Sequence, residues 1–255
     1  MMKRTVVALA FSLLLLGPLP GCVQDQGATK PQIEAKQNLG RALLAEGNKQ
    51  SALKTLLEAL EMDPENHEIH NALGITYADL EQMDKAEFHL KKSLQIKPDY
   101  PEAMNHLGLV YNRQGKYGQA IEMFTRAAED FMYPSRFAAY NNLGTVYLFM
   151  GEPRKALDAY KKALQVFPEY SPAHDNMGLT YEALREWDLA IEAYKSSIQY
   201  APNYPLSYLH LANLYLKFKR YDDAREMVLK AMEVDKNGEF KRDAKRLLDE
   251  CGKRG

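Results

Sequence analysis

The side chains able to carry acid–base, nucleophilic or metal chemistry are few and scattered in this 255-residue chain. Its six histidines are His67, His70, His89, His106, His174 and His210, and its two cysteines are Cys22 and Cys251. Two thiols cannot build a disulfide scaffold or a cysteine-based zinc ribbon. His67 and His70 could share one helical face, but a helical zinc pair needs its histidines four apart, and position 71 is Asn. We read both as solvated histidines at a helix start. The glycines are spread about one per 34 residues, which is a packing rhythm rather than a phosphate-binding loop. Cys251 lies on an apolar helical stripe and reads as a small core residue. No acid, base and nucleophile cluster together. The expectation is a protein that is not an enzyme and has no metal, cofactor or small-molecule substrate.

Composition narrows the remaining classes. Hydrophobic residues make up 46% and charged residues 26%, which excludes a disordered chain and a polytopic membrane protein. Thirty-three Lys and Arg against 34 Asp and Glu leave a net charge of −1. That gives no field to gather nucleic acid. A partner, if there is one, is expected to be a protein.

The elements that would present such a partner site are repeated. Gly40, Gly74, Gly108, Gly144 and Gly178 are spaced 34, 34, 36 and 34 apart. Ala52, Ala86, Ala120, Ala156, Ala190 and Ala224, and Pro64, Pro98, Pro134, Pro168 and Pro202, keep the same rhythm. All three series shift by two residues at the same place, so the period is structural. Six units begin near Ile33, His67, Pro101, Phe137, Ser171 and Pro205, and the third carries two extra residues at its end.

Each unit reads as two helices. Ile69, Ala72, Leu73, Tyr77 and Leu80 share one helical face, and Ala86, Leu90 and Leu94 share another. Between them, Asp84 with Glu87 three residues on predicts an N-cap close to a capping box. Gly47, Gly115 and Gly151 supply backbone freedom in three of the turns. Tyr77, Tyr111, Tyr147, Tyr181 and Tyr215 recur at one position and are expected in the core. After the sixth unit, Phe240, Ala244, Leu247, Leu248 and Cys251 form the stripe of a lone helix from Glu239 to Cys251. It is expected to cap the last repeat.

Leu73-Gly74, Tyr77, Ala86 and Pro98 together resemble the tetratricopeptide repeat. The resemblance covers residues 33–238. It implies an all-α solenoid of six helix-turn-helix repeats plus a C-terminal capping helix over residues 239–255, with the first helix of each repeat lining a concave face. By that analogy repeat positions 2, 5, 9 and 12 face the groove. Position 5 reads Gln37, Asn71, Asn105, Asn141, Asp175 and Leu209, and position 9 reads Arg41, Ile75, Leu109, Thr145, Leu179 and Asn213. The expected partner-binding set is Asn71, Ile75, Asn105, Leu109, Asn141, Thr145 and Leu179. Amides would bond a peptide backbone and the aliphatic residues would bury apolar side chains. Asn38, Asn142 and Asn176 at position 6 read as the repeat's own preference. The carboxylate clamp of chaperone-binding repeats would need basic and amide residues where Gln37, Arg41, Ala72, Glu102 and His106 stand, so a free acidic C-terminus is not the expected ligand.

The N-terminus reads as an address. Lys3 and Arg4 precede an apolar and small run, Val6 to Leu16, that is too short to span a bilayer. Leu19-Pro20-Gly21-Cys22 follows and resembles the bacterial lipobox. The resemblance implies a signal peptide over residues 1–21 and an acylated Cys22 as first mature residue. Val23, not Asp, stands second, which implies the outer membrane of a Gram-negative bacterium, on its periplasmic face. Residues 22–32 are polar, hold Gly27 and Pro31, and read as a lipidated N-terminus and flexible tether. Ten extended residues reach at most about 35 Å.

A lipid-anchored chain made almost entirely of six such repeats resembles the type IV pilus biogenesis and stability family, the secretin pilotins. Ala127-Ala128-Glu129-Asp130-Phe131-Met132-Tyr133-Pro134, leading to Asn141-Asn142-Leu143-Gly144, is similar to that family's lengthened third repeat. The resemblance implies secretin subunits as partner. A general periplasmic scaffold that recruits envelope or peptidoglycan enzymes is the alternative.

Overall fold

The computed structural model describes residues 29–254. The expected signal peptide and Cys22 lie outside the described residues. The thirteen described α-helices are α1 Lys30–Ala45, α2 Lys49–Met62, α3 His67–Asp79, α4 Met83–Ile96, α5 Pro101–Arg113, α6 Tyr117–Glu129, α7 Arg136–Phe149, α8 Pro153–Val166, α9 Ser171–Leu184, α10 Trp187–Tyr200, α11 Pro205–Lys217, α12 Tyr221–Val234 and α13 Lys241–Arg254. Odd and even helices pair within each repeat up to α12, and each pair stacks on the next. The fold is an all-α tetratricopeptide solenoid. No described helix is long and apolar enough to cross a membrane.

The repeated small residues explain the stacking. Ala52, Ala86, Ala120, Ala156, Ala190 and Ala224 are all fully buried. A Cβ added at Gly40 would sit 2.6 Å from Leu56 Cγ, one at Gly108 2.7 Å from Phe124, and one at Gly144 2.5 Å from Tyr160. Gly74 and Gly178 meet Leu90 and Tyr194 in the same way. Glycine here lets a large side chain of the second helix lie against the first helix's backbone. The sixth repeat has Ala212 instead, and its buried neighbour is Val228, smaller than Leu, Phe or Tyr. The deviation is thus compensated within the same pair.

The Tyr series is buried at Tyr77, Tyr111 and Tyr215 and half-buried at Tyr147 and Tyr181. Lysines or arginines cover several of these rings: Lys116 lies 5.6 Å and Arg220 4.2 Å from the centroids of Tyr111 and Tyr215. Cys251 is fully buried with Ala244 and Leu247 on the face that α13 turns to α11 and α12.

Four local expectations are corrected. Helix α1 begins at Lys30, inside the stretch assigned to the tether, because the Thr29 N–H donates to Gln32 Oε1 at 2.8 Å and Pro31 suits a first turn. Asp84 is inside α4 and not its N-cap; Gln82 holds that place, and Glu87 bonds Lys91 and Lys116 rather than reaching back. The capping helix starts at Lys241, where the Asp235 carboxylate accepts from the N–H groups of Glu239 and Phe240 just ahead of it. His70 is not solvated: its Nδ1 lies 2.9 Å from His89 Nδ1, and its Nε2 lies 3.1 Å from Pro64 O. A carbonyl only accepts, so His70 Nε2–H donates to Pro64, and His70 Nδ1 accepts from His89 Nδ1–H. Both rings are held neutral, since burial lowers each proton affinity, that of His89 to about 4.

The two-residue insertion makes the connection between α6 and α7 six residues long, against four at residues 97–100, 167–170 and 201–204. Tyr133 is buried beneath it, packed with Met104, Ala127, Ala128 and Ala139.

Candidate partner-binding groove

The first helices of the repeats carry two parallel rows, and the structure treats them differently. Asn71, Asn105 and Asn141 are only 6, 7 and 7% exposed. Their side-chain oxygens are already used. His106 Nδ1–H donates to Asn71 Oδ1 at 2.9 Å, Asn142 Nδ2 to Asn105 Oδ1 at 3.0 Å, and Asn176 Nδ2 to Asn141 Oδ1 at 2.9 Å. The next pair continues the series, with His210 Nδ1 2.9 Å from Asp175 Oδ2. At four of the five junctions position 5 is therefore bonded to position 6 of the following repeat. This corrects the expectation that the three amides face a peptide backbone: the stacking of neighbouring first helices brings them into a seam, and buried polar groups must be satisfied there.

Asn142 and Asn176, which the sequence alone presents as the repeat's own preference, are donors of this ladder together with His106 and His210. A signal was available. An acceptor at position 5 is followed 35 or 37 residues later by an N–H donor at position 6 in four consecutive junctions. The first junction breaks the rule, because Ala72 cannot donate. Gln37 Nε2 instead donates to Glu68 Oε2 at 2.5 Å, one turn earlier on α3.

Position 9 differs. Ile75, Leu109, Thr145 and Leu179 are half-buried. Ile75 and Leu109, with Gly74, Ala78, Leu90 and Val110, line an apolar depression of about 60 Å³ that also touches Asp79, His106 and Arg113. Thr145 is restrained on both sides: its hydroxyl donates to Asn141 O at 3.1 Å and accepts from the Tyr160 hydroxyl at 3.4 Å. A wider hollow of about 520 Å³ opens between the first two repeats, lined by Lys30, Ile33, Glu34, Gln37, Asp63, Asn66, His67 and Glu68. Together these surfaces offer apolar contact bordered by charge, a combination that can take an extended polypeptide.

The electrostatics of the groove follow burial. His106 is held neutral, its proton affinity lowered to about 4 by desolvation and by the nearby Arg41 charge. Tyr100 and Tyr133 are pushed up to about 12, chiefly by burial. Neither phenol can act as a base near neutral pH. Among the described residues no group of three or more metal-ligating side chains converges.

Comparison with known proteins agrees with this geometry. Tetratricopeptide-repeat family models match residues 38–101, 99–169 and 181–248. The type IV pilus assembly protein PilF of Pseudomonas aeruginosa is 31% identical over 170 residues, covering 64% of this chain and 67% of that protein. The solved P. aeruginosa PilF superposes with a TM-score of 0.70 at 25% identity, covering 86% of this chain and 97% of that one. PilW, a type IV pilus biogenesis factor, shares the fold with a TM-score of 0.75 at 21% identity over 87% of this chain and all of that one. The mouse O-mannosyl-transferase TMTC3 is 33% identical over 144 residues, but these make up only 15% of that protein, so the likeness is in the repeats. Repeat models along most of the chain, with 31% identity over 67% of PilF and a superposition along 97% of its structure, lead to one assignment: the chain is a tetratricopeptide-repeat protein and belongs to the family of the type IV pilus assembly protein PilF.

Proposed function

We propose that this protein is a pilotin: a lipid-anchored scaffold at the periplasmic face of the outer membrane that binds secretin subunits and aids their assembly for type IV pilus biogenesis. The observation that carries this reading is the likeness to PilF over 97% of the PilF structure, a protein whose name places it in pilus assembly. The sequence Leu19-Pro20-Gly21-Cys22 supports the anchor, with acylation at Cys22. Several acyl chains hold a protein firmly on a bilayer, whereas one is marginal. The solenoid supports the scaffold role, because stacked repeats present a long surface and a rigid one.

The partner is placed in the concave groove, against Ile75, Leu109, Thr145 and Leu179. The seam amides Asn71, Asn105 and Asn141 hold that strip in place and contact the partner little. The test is the ratio of secretin multimer to monomer in envelope fractions. Deleting the gene should abolish multimers, and Ile75→Asp with Leu109→Asp should reproduce the defect in a protein of normal circular dichroism. Normal multimers in the deletion strain reject the pilotin reading. Normal multimers in the double variant alone move the partner off the groove. Cys22→Ser should lose metabolic fatty-acid label; label retained in that variant rejects the anchor.

A further inference from the structure

The two most exposed large hydrophobic side chains among the described residues are neighbours: Phe131 at 83% and Met132 at 87%. They lie in the six-residue connection that the insertion creates. This connection is built. The Asp130 carboxylate accepts from Met132 N–H at 2.8 Å, Tyr133 N–H donates to Asp130 O at 3.2 Å, and the Tyr133 ring is buried. The Arg136 guanidinium stacks over the Phe131 ring at 4.8 Å. The tip therefore holds two adjacent apolar side chains outward on a fixed backbone.

The topology decides which way the tip faces. In every repeat the first helix starts, and the second helix ends, at the same edge of the solenoid. The connection between α6 and α7 lies on that edge, and so does Thr29 at the start of α1. The chain preceding the described residues thus joins the solenoid on the edge that carries Phe131 and Met132. Thr29 lies seven positions after Cys22, a reach of at most about 25 Å. Helices pack roughly 10 Å apart, so the tip, three repeats along, is on the order of 30 Å from Thr29. Tyr200 and Tyr204, both at the connection between α10 and α11 on the same edge, are also exposed. Tyrosine, with an apolar ring and a polar hydroxyl, suits the headgroup level of a bilayer.

We infer that Phe131 and Met132 are a second membrane contact, inserting into the lipid surface that the acyl chains on Cys22 occupy and fixing which edge of the solenoid faces it. The inference rests on the acylation of Cys22 proposed above. Phe131 and Met132 enter the acyl boundary, and Arg136 lies at the phosphates. Asp130 and Arg136 offset one another, so the contact suits a zwitterionic surface and is insensitive to salt.

The test uses the full lipoprotein added to preformed vesicles of phosphatidylethanolamine and phosphatidylcholine. Cysteine is introduced at the tip by Met132→Cys, or at the opposite edge by Gln82→Cys, which is exposed just ahead of α4. Cys251 is fully buried and contributes little background. A water-soluble maleimide should label the tip at least tenfold more slowly on vesicles than the opposite edge, at low and high salt alike. Equal labelling of the two positions overturns the inference. Mass spectrometry of the same preparation reads acylation separately. Unmodified Cys22 rejects the anchor and this inference together, whereas acylated Cys22 with equal labelling rejects the tip contact alone. If Phe131→Ser with Met132→Ser lowers secretin multimers while the Met132→Cys tip labels freely on vesicles, the tip docks a protein and the membrane contact is wrong.

Discussion

Positions 5 and 9 sit one helical turn apart on the same helices and do opposite work. Position 5 is buried and bonded to the next repeat; position 9 is half-open and mostly apolar. An amide at position 5 is a fastener whose partner is another repeat of the same chain. An aliphatic residue at position 9 has packed one side only. The two rows differ in what a substitution should break: the first changes the fold's stability, the second its binding. A consequence concerns variant design. Asn105→Lys introduces a charge into a buried seam and removes the acceptor of Asn142, so it tests folding and not the groove.

The largest expected effect sets the scale of a true core position. Tyr111→Ala should cost roughly 3–5 kcal/mol, as truncation of a buried aromatic does. Because repeats couple mainly to their neighbours, urea unfolding should also lose cooperativity. An unchanged midpoint would mean that Tyr111 carries no packing.

The seam comes next. Asn141→Leu leaves Asn176 Nδ2 without its acceptor and should cost about 1–3 kcal/mol. The paired change Asn141→Leu with Asn176→Leu should recover part of that loss, since no donor is then orphaned. If the single variant unfolds at the wild-type urea concentration, position 5 is not a fastener and the contrast between the rows collapses.

Acid should loosen the second repeat and its junction with the third. His70, His89 and His106 all have folded-state proton affinities below the ordinary value of 6.5, by burial, and His89 and His106 lie at about 4. The unfolded chain therefore takes up protons first as pH falls. Stability should be full above about pH 6.5 and should fall between there and about pH 4. Lys92 and Glu65 act on His70 in opposite senses and leave burial as the main cause. The melting temperature of wild type and His89→Gln across that window checks this; parallel curves would remove the His70–His89 pair as its source.

Position 9 should show the reverse pattern. Ile75→Asp with Leu109→Asp should cost less stability than Tyr111→Ala, because both residues keep one open side, although Leu109 also packs against the core. Secretin multimers should nonetheless be lost. A large drop in melting temperature would place position 9 in the core beside position 5.

The smallest effect concerns turns. Gly47, Gly115 and Gly151 adopt φ of +78°, +71° and +74°, whereas the remaining three turns hold Glu81, Arg185 and Lys219 at +60°, +61° and +57°. Arg185→Gly should therefore raise stability by up to about 1 kcal/mol. A lower melting temperature would show that the Arg185 side chain contributes more than its backbone strain costs.

The sequence by itself determined the repeat number, the two-residue insertion and the positions of the recurring small residues. These are carried by residue type at a fixed period: a glycine admits the neighbouring helix, a proline stops one, and six copies of one rule cannot arise by accident. It also marked Ile75, Leu109, Thr145 and Leu179 as a row. It did not separate that row from Asn71, Asn105 and Asn141, because a 3.6-residue period puts both on nearly the same face. Only the tertiary structure decided between them. Stacking sets each first helix beside the next, so one row closes into a seam and bonds across it, while the row a turn away keeps an open side. The same holds for His70, whose partner His89 comes from the second helix, and for the exposed Phe131 and Met132. Whether a residue meets another element or solvent is set by how helices lie on one another, and no local pattern carries that information.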